Sequence, residues 1–140
     1  MSALERPLDE QNTDRIRQET AAVLALLQRF YAGECVLIKS PAHIAEADAT
    51  SDEQRRADIH VLLDPLITRR FDAQKIEERA QRLCSHGFKP MDASHLAHAE
   101  AAHVDYFVTT DDRLLKRAKR QSDLPFEPLN PLEVLTRWPK

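Results

Sequence analysis

The chain has 140 residues and a mass of 16.0 kDa, enough for one domain with a hydrophobic core and little room for a second. Hydrophobic residues make up 42% of the chain and charged residues 31%, which excludes the disordered and fibrous classes. No apolar run approaches the ~20 residues of a membrane span, and the N-terminal residues lack the apolar segment of a signal peptide. The two cysteines form no disulfide framework. We therefore expect one domain, residues 1–140, in the cytoplasm and not in a membrane.

The net charge of −3 does not by itself indicate a nucleic-acid-binding protein, but the charge is unevenly distributed. A patch of basic residues can contact phosphates locally even on an acidic protein. A solvated helix face would show the same spacing, so both interpretations stay open at this point. The basic residues concerned lie within eight positions of the second half: Arg113, Lys116, Arg117, Lys119 and Arg120.

Two glycines against eight prolines argue against a hairpin-rich all-β fold, because tight hairpins need residues with positive φ. The apolar spacing instead predicts helices separated by short strands. Residues 12–32 form the first predicted helix, which Gly33 ends. The apolar run 34–39 has the length of a buried parallel strand, and Pro41 suits the first turn of the next helix.

The rest of the chain continues the same alternation. Residues 51–64 are predicted to be helical, with Ser51 as N-cap and Gln54 completing a capping box. The remaining predicted elements are a weak strand at 67–71, helices at 72–86 and 90–102, a strand at 106–109, a basic helix to Arg120, a short strand at 126–129 and a terminal helix after Asn130 that contains Trp138.

This order of elements predicts an α/β fold with a parallel sheet. The chain opens on a helix, whereas an early strand is usually central in such a sheet, so we expect a gap in the core. Sheet edges beside a gap expose unpaired backbone groups. We therefore predict dimerisation, strand exchange or low solubility.

Three carboxylates follow predicted strands or begin predicted helices. Ligands of open parallel sheets bind beyond the carboxyl ends of the strands, where Glu46, Asp92 and Asp111 are expected. Each one alone is equally well explained as a helix cap or a surface residue. Together they would repel one another unless a cation neutralised them. Oxygen ligands favour Mg²⁺ or Mn²⁺, which can activate water for attack on a phosphodiester.

Two other kinds of site fit the sequence less well. The pattern Asp92-x-x-His95-x-x-His98 places an acid and imidazoles on adjacent helical turns, as some zinc sites do. No cysteine joins them, and we expect His98 and His103 on a partly exposed face and His95 as a core residue that orients its neighbours. Neither cysteine has the flanking sequence of an exposed nucleophile.

Three segments of the second half, taken together, resemble a known family. They are residues 91–97 (MDASHLA), 105–115 (DYFVTTDDRLL) and 130–133 (NPLE). In combination they resemble the C-terminal half of a PIN domain, most of all the VapC-like toxin ribonucleases. Residues 6–11 (RPLDEQ) and the Arg15-Ile16-Arg17 helix are similar to a PIN subgroup, so the resemblance covers nearly the whole chain.

The resemblance implies a three-layer α/β/α sandwich and a metal-dependent endoribonuclease that uses Mg²⁺ or Mn²⁺. It also implies three partners: an RNA substrate, a cognate antitoxin protein and a second copy in a homodimer. The site residues it implies are Glu46, Asp92 and Asp111 for catalysis and metal binding, Asp112 as a further metal ligand, and Arg113 and Lys116 on the RNA backbone.

One part of the family pattern is absent. PIN domains begin with a strand that ends in an aspartate, and counting back from Arg6 places that aspartate immediately before Met1. Either the true start lies upstream, or the first strand and one metal-binding acid are missing. In the second case Glu5 or Asp9 are candidates to replace the acid, although Asp9 is better explained as a cap of the loop into the first helix.

Two alternative functions therefore stay open. The first is a catalytically impaired PIN-like protein that binds RNA or an antitoxin without cutting RNA. The second is a metal-dependent phosphatase on a similar sheet. A phosphatase of that kind would need a nucleophilic aspartate at the end of a first strand, which this sequence lacks.

Overall fold

A computed structural model describes residues 2–137 as a mixed α/β structure that is mostly helical. The expected α/β class is confirmed at this level. Trp138, which the sequence places in the terminal helix, lies outside the described residues. The elements are helices α1 (Ser2–Glu5), α2 (Asp14–Tyr31), α3 (Pro41–Asp48), α4 (Glu53–Leu63), α5 (Ala73–Ser85), α6 (Pro90–Ala101), α7 (Asp112–Arg120) and α8 (Pro131–Arg137), strands β1 (Tyr106–Val108) and β2 (Glu127–Leu129), and a 3₁₀ turn at Arg6–Leu8.

Side-chain caps fix where the longer helices begin. The hydroxyl of Thr13 accepts a hydrogen bond from the backbone of Ile16 at the start of α2. Gly33 follows the end of that helix with a φ of 78°, as predicted. The predicted cap of α4 is wrong, because Asp52 and not Ser51 accepts the hydrogen bond from the backbone of Arg55. Ser51 lies one residue too early to reach the first turn.

The sheet is smaller than the sequence predicts. Strands β1 and β2 pair in parallel, with Phe107 opposite Pro128. The strands predicted at 34–39 and 67–71 are reduced to one parallel bridge between Ile38 and Ile67. This bridge uses the carbonyl of Leu37 and the amide of Lys39, so the backbone groups of Ile38 point to the opposite side.

A cavity of about 770 Å³ lies beside this bridge. It is bordered by residues 36–38 on one side and by β1, residues 106–108, on the other. Strand β1 uses the carbonyl of Asp105 and the amide of Thr109 to pair with β2, so the backbone groups of Tyr106 and Val108 point away from β2. The cavity is thus lined by residues of the Ile38–Ile67 bridge and of β1, and its origin as the place of a missing strand stays a prediction.

The buried side chains form separate clusters around this gap. The largest cluster joins α5, α6 and α7, and it holds the starts of α6 and α7 in fixed positions. A second cluster packs α3 against α4, and a third packs α2 against β2 and α8. Among the described residues, no helix combines the length and the apolar character that crossing a bilayer requires. The members of the largest cluster are Leu83, Phe88, Ala93, Leu96, Leu114, Ala118 and Phe126.

Candidate functional site

Two of the three predicted acids line one cleft. Glu46 projects from α3 and Asp111 follows β1, and both border a cleft of about 380 Å³ together with Thr110. Asp92 does not border this cleft, but Asp111 and Glu46 are close enough to influence its charge. The structure thus places Glu46 and Asp111 in one cleft and Asp92 outside its lining, and the joint role of the three acids stays a prediction.

Glu46 is half-buried and lies beside a buried histidine. Its Oε1 is 3.4 Å from Nε2 of His95, which projects from α6. Burial raises the pKa of the Glu46 carboxyl, but the interaction with His95 and other favourable contacts together lower it to about 2. Glu46 therefore carries a negative charge throughout the physiological pH range. His95 is buried against it, which agrees with its prediction as a core residue that orients its surroundings.

Asp92 lies in the first turn of α6, after Pro90. It is not the N-cap of the helix, since that position belongs to Lys89, whose side chain makes no capping hydrogen bond. Burial raises the pKa of the Asp92 carboxyl above its usual value, and the charges of Asp111 and Glu46 raise it further. Burial is the largest cause of this shift in pKa, and the carboxylates of Asp111 and Glu46 add to it.

Asp111 and Asp112 are adjacent in sequence but have different surroundings. Oδ1 of Asp111 accepts hydrogen bonds from the backbone of Arg113 and Leu114, so this residue caps α7 as well as lining the cleft. Asp112 instead forms two hydrogen bonds of 2.8 and 2.6 Å with the guanidinium of Arg15 in α2. Its carboxylate ties α2 to the start of α7, which does not favour the predicted role as a metal ligand.

Three further histidines lie outside the contact between Glu46 and His95. His43 caps its own helix, because its Nδ1 accepts a hydrogen bond of 2.9 Å from the backbone of Ser40. The expectation that His98 is exposed is wrong: it is 7% exposed, and Phe71 packs edge-on against its ring. His103 is exposed, as expected.

Sequence reasoning missed the two arginines of the cleft. Arg6 and Arg55 line it together with Glu5 and Asp9. The carboxylate of Asp9 lies between the two guanidiniums and pairs with both, so its predicted role as a cap of the loop into the first helix is wrong. Thr13 makes that cap. Only the RPLDEQ similarity drew attention to this segment, and nothing in the local sequence pointed to Arg55.

The basic helix begins at the cleft. Arg113 and Lys116 are exposed in the first turns of α7, directly after Asp111. Lys119 forms an ion pair of 3.0 Å with Glu133 of α8 and is less available to a ligand. The placement of Arg113 and Lys116 is compatible with the predicted contacts to a phosphate backbone.

The carboxylates of the candidate site are chemically suited to a hard cation, but their arrangement is not that of a metal site. Carboxylate oxygens are the ligands that Mg²⁺ and Mn²⁺ prefer, and the charges of Asp111 and Glu46 reach Asp92. Within residues 2–137, however, no group of three or more His, Cys, Asp or Glu side chains is arranged to hold a metal ion.

Comparison with known proteins assigns no class to this chain. No protein-family model matches it, no curated protein matches it, and no solved structure matches it. The fold and the site therefore carry the functional argument.

Proposed function

We propose that this protein is a metal-dependent endoribonuclease of the PIN type and the toxin of a toxin–antitoxin pair. The observation that carries the proposal is the grouping of Glu46 and Asp111 in one cleft beside Asp92, whose pKa their charges raise. The proposal includes the three-layer α/β/α arrangement, with β1, β2 and the Ile38–Ile67 bridge as parts of one parallel sheet. RNA, an antitoxin and a second copy of the chain are its proposed partners.

In this proposal Glu46, Asp92 and Asp111 hold Mg²⁺ or Mn²⁺. The bound cation supplies Lewis-acid activation of water for attack on a phosphodiester. His95 positions Glu46 through the contact of 3.4 Å. Asp111 is fixed by its hydrogen bonds to the start of α7, and Arg113 in the first turn of that helix contacts the RNA backbone.

The test is cleavage of a structured RNA by the purified chain in the presence of Mn²⁺. We expect cleavage products with Mn²⁺, and none when EDTA is in excess. Cleavage that is unchanged by EDTA would contradict the proposed dependence on a cation.

A second candidate is a PIN-like protein that binds RNA without cutting it. Two observations favour it. The described residues contain no preformed group of three metal ligands, and Arg6 and Arg55 extend into the cleft that holds Glu46 and Asp111. RNA binding with no cleavage at any concentration of Mn²⁺ would support this candidate over the nuclease.

A further inference from the structure

The carboxylate of Asp9 bridges two arginines that are far apart in sequence. Its Oδ2 is 2.9 Å from Nη1 of Arg6, and its Oδ1 is 2.7 Å from Nη2 of Arg55. All three side chains line the cleft that contains Glu46 and Asp111. A two-oxygen anion therefore already occupies the space between two guanidiniums in the candidate site.

Each guanidinium also has a support that does not depend on Asp9. Nε of Arg6 is 3.0 Å from the buried carboxylate of Glu19. Arg55 contacts Oε1 of Glu5 at 3.1 Å and donates to the carbonyl of Leu8 at 3.3 Å. If the carboxylate of Asp9 turned away, these contacts would keep both guanidiniums at the wall of the cleft.

Asp9 is placed where it can turn away. It ends the 3₁₀ turn Arg6–Leu8, and residues 10–13 after it are exposed to solvent. Gln11 holds this loop through the backbone carbonyls of Arg6 and Asp9, not through the Asp9 carboxylate. Rotation of the side chain therefore needs no change in these backbone hydrogen bonds.

A phosphodiester can take the place of this carboxylate between the two guanidiniums. Both groups carry one negative charge and present two oxygens, and guanidinium groups bind either of them with charge-assisted hydrogen bonds. We propose that Arg6 and Arg55 bind a backbone phosphate of an RNA strand, and that Asp9 occupies this phosphate site when RNA is absent. The identification of the ligand as RNA rests on the proposed function.

The test measures RNA binding without a divalent cation, so that cleavage has no influence on the result. The probe is a short fluorescein-labelled single-stranded oligoribonucleotide, and binding is followed by fluorescence anisotropy in EDTA at several salt concentrations. Arg55→Gln is expected to weaken binding about tenfold through the loss of charge-assisted hydrogen bonds. It is also expected to reduce the slope of log K against log salt by about one, as the loss of one phosphate contact does.

Arg56→Gln is the matched control, because it removes the same charge one residue further along α4. The guanidinium of Arg56 donates to the carbonyl of Thr50 and does not line the cleft. We expect the affinity and the salt slope of Arg56→Gln to stay close to the wild-type values. Equal effects of Arg55→Gln and Arg56→Gln would overturn the proposal, since they would show a general charge effect only.

Asp9→Asn removes the carboxylate that competes with the RNA phosphate. The expected result is a gain of RNA binding, which misfolding would not produce. We expect it to tighten RNA binding up to about fivefold, the range of a partly exposed ion pair. Asp14→Asn, which removes an exposed carboxylate that pairs with Arg17 in α2, should have a smaller effect. Equal or weaker binding by Asp9→Asn would contradict the role assigned to Asp9.

The two proposals can fail separately. If cleavage depends on the cation but Arg55→Gln does not change RNA binding in EDTA, the nuclease proposal stands and the phosphate site is contradicted. If RNA binding depends on Arg55 but no RNA is cleaved under any condition, the phosphate site is supported and the nuclease proposal is contradicted. Unlabelled RNA and inorganic phosphate are compared as competitors of the labelled oligoribonucleotide, which distinguishes the sources of the anion. Displacement of the probe by RNA at far lower concentration than by phosphate supports the RNA ligand, and equal potency contradicts it.

Discussion

Among single residues, His43 shows how burial controls a charge. Burial lowers the pKa of the His43 imidazole from its usual value near 6.5 to about 3, and the nearby ring of His95 adds to the effect. The unfolded chain therefore binds a proton between these two values that the folded chain does not bind. It follows that the free energy of unfolding decreases as the pH falls below about 6.5.

His43→Gln tests this dependence. The glutamine carbonyl can still accept the hydrogen bond from Ser40, but glutamine does not titrate. We expect the melting temperature to fall less in the variant than in the wild type when the pH is lowered from about 7 to about 5. Equal falls, measured by circular dichroism in the same buffers, would show that His43 does not contribute.

Asp111 and Asp112 give a second test at the same scale. Asp111 lines the cleft, whereas the carboxylate of Asp112 is engaged by Arg15. We expect Asp111→Asn to reduce RNA cleavage to background and Asp112→Asn to retain most of it with a slightly lower melting temperature. A lower cleavage rate for Asp112→Asn than for Asp111→Asn would instead support Asp112 as a metal ligand.

The candidate site was only partly predictable from single residues. Glu46, Asp92 and Asp111 were identifiable because each follows a strand-like run or begins a helix, and because their flanking residues resemble a family. The Asp112–Arg15 pair and the bridging position of Asp9 depend on contacts between segments that are distant in the chain. No local pattern carries that information.

For the helices and strands, the prediction succeeds where the signal is local. The starts of α2, α3, α5 and α6 are set by caps and prolines that can be read in the sequence. The runs 34–39 and 67–71 have strand-like composition, but a strand also needs neighbours on its edges. With a cavity on one side, residues 36–38 make a single bridge. The short helix α1 and the 3₁₀ turn after it carried no clear signal and were not predicted.

The turn between α5 and α6 provides a test of packing between elements. Gly87 has a φ of 100°, and a Cβ added there would meet the guanidinium of Arg117 in α7. Gly87→Ala should lower the free energy of unfolding by about 1–2 kcal/mol, the cost of a left-handed backbone in a residue with a side chain, and displacement of the flexible end of Arg117 should add a smaller amount.

Gly33→Ala is the control for this substitution. Gly33 has a φ of 78°, but a Cβ there would meet nothing within 4 Å. We expect denaturant unfolding to show a smaller loss for Gly33→Ala than for Gly87→Ala. Equal losses would mean that backbone strain alone accounts for the effect and that contact with Arg117 adds nothing.

For the molecule as a whole, a cavity lies between the Ile38–Ile67 bridge and β1. Ile38, Tyr106 and Val108 direct backbone groups away from their paired neighbours, and unpaired strand edges promote association with other chains. We predict that the 140-residue chain dimerises, exchanges strands or has low solubility. Light scattering after size-exclusion chromatography measures this directly. A soluble monomer with a high melting temperature over a wide concentration range would contradict the prediction.

The most direct test of the proposed nuclease compares initial rates of RNA cleavage in Mn²⁺ for the wild type, Asp92→Asn and a control variant, Asp123→Asn. Asp123 is an acid that pairs with Arg79 and does not line the cleft. The proposal predicts cleavage by the wild type and by Asp123→Asn, and none by Asp92→Asn, with all three proteins folded by circular dichroism. Full cleavage by folded Asp92→Asn would contradict it.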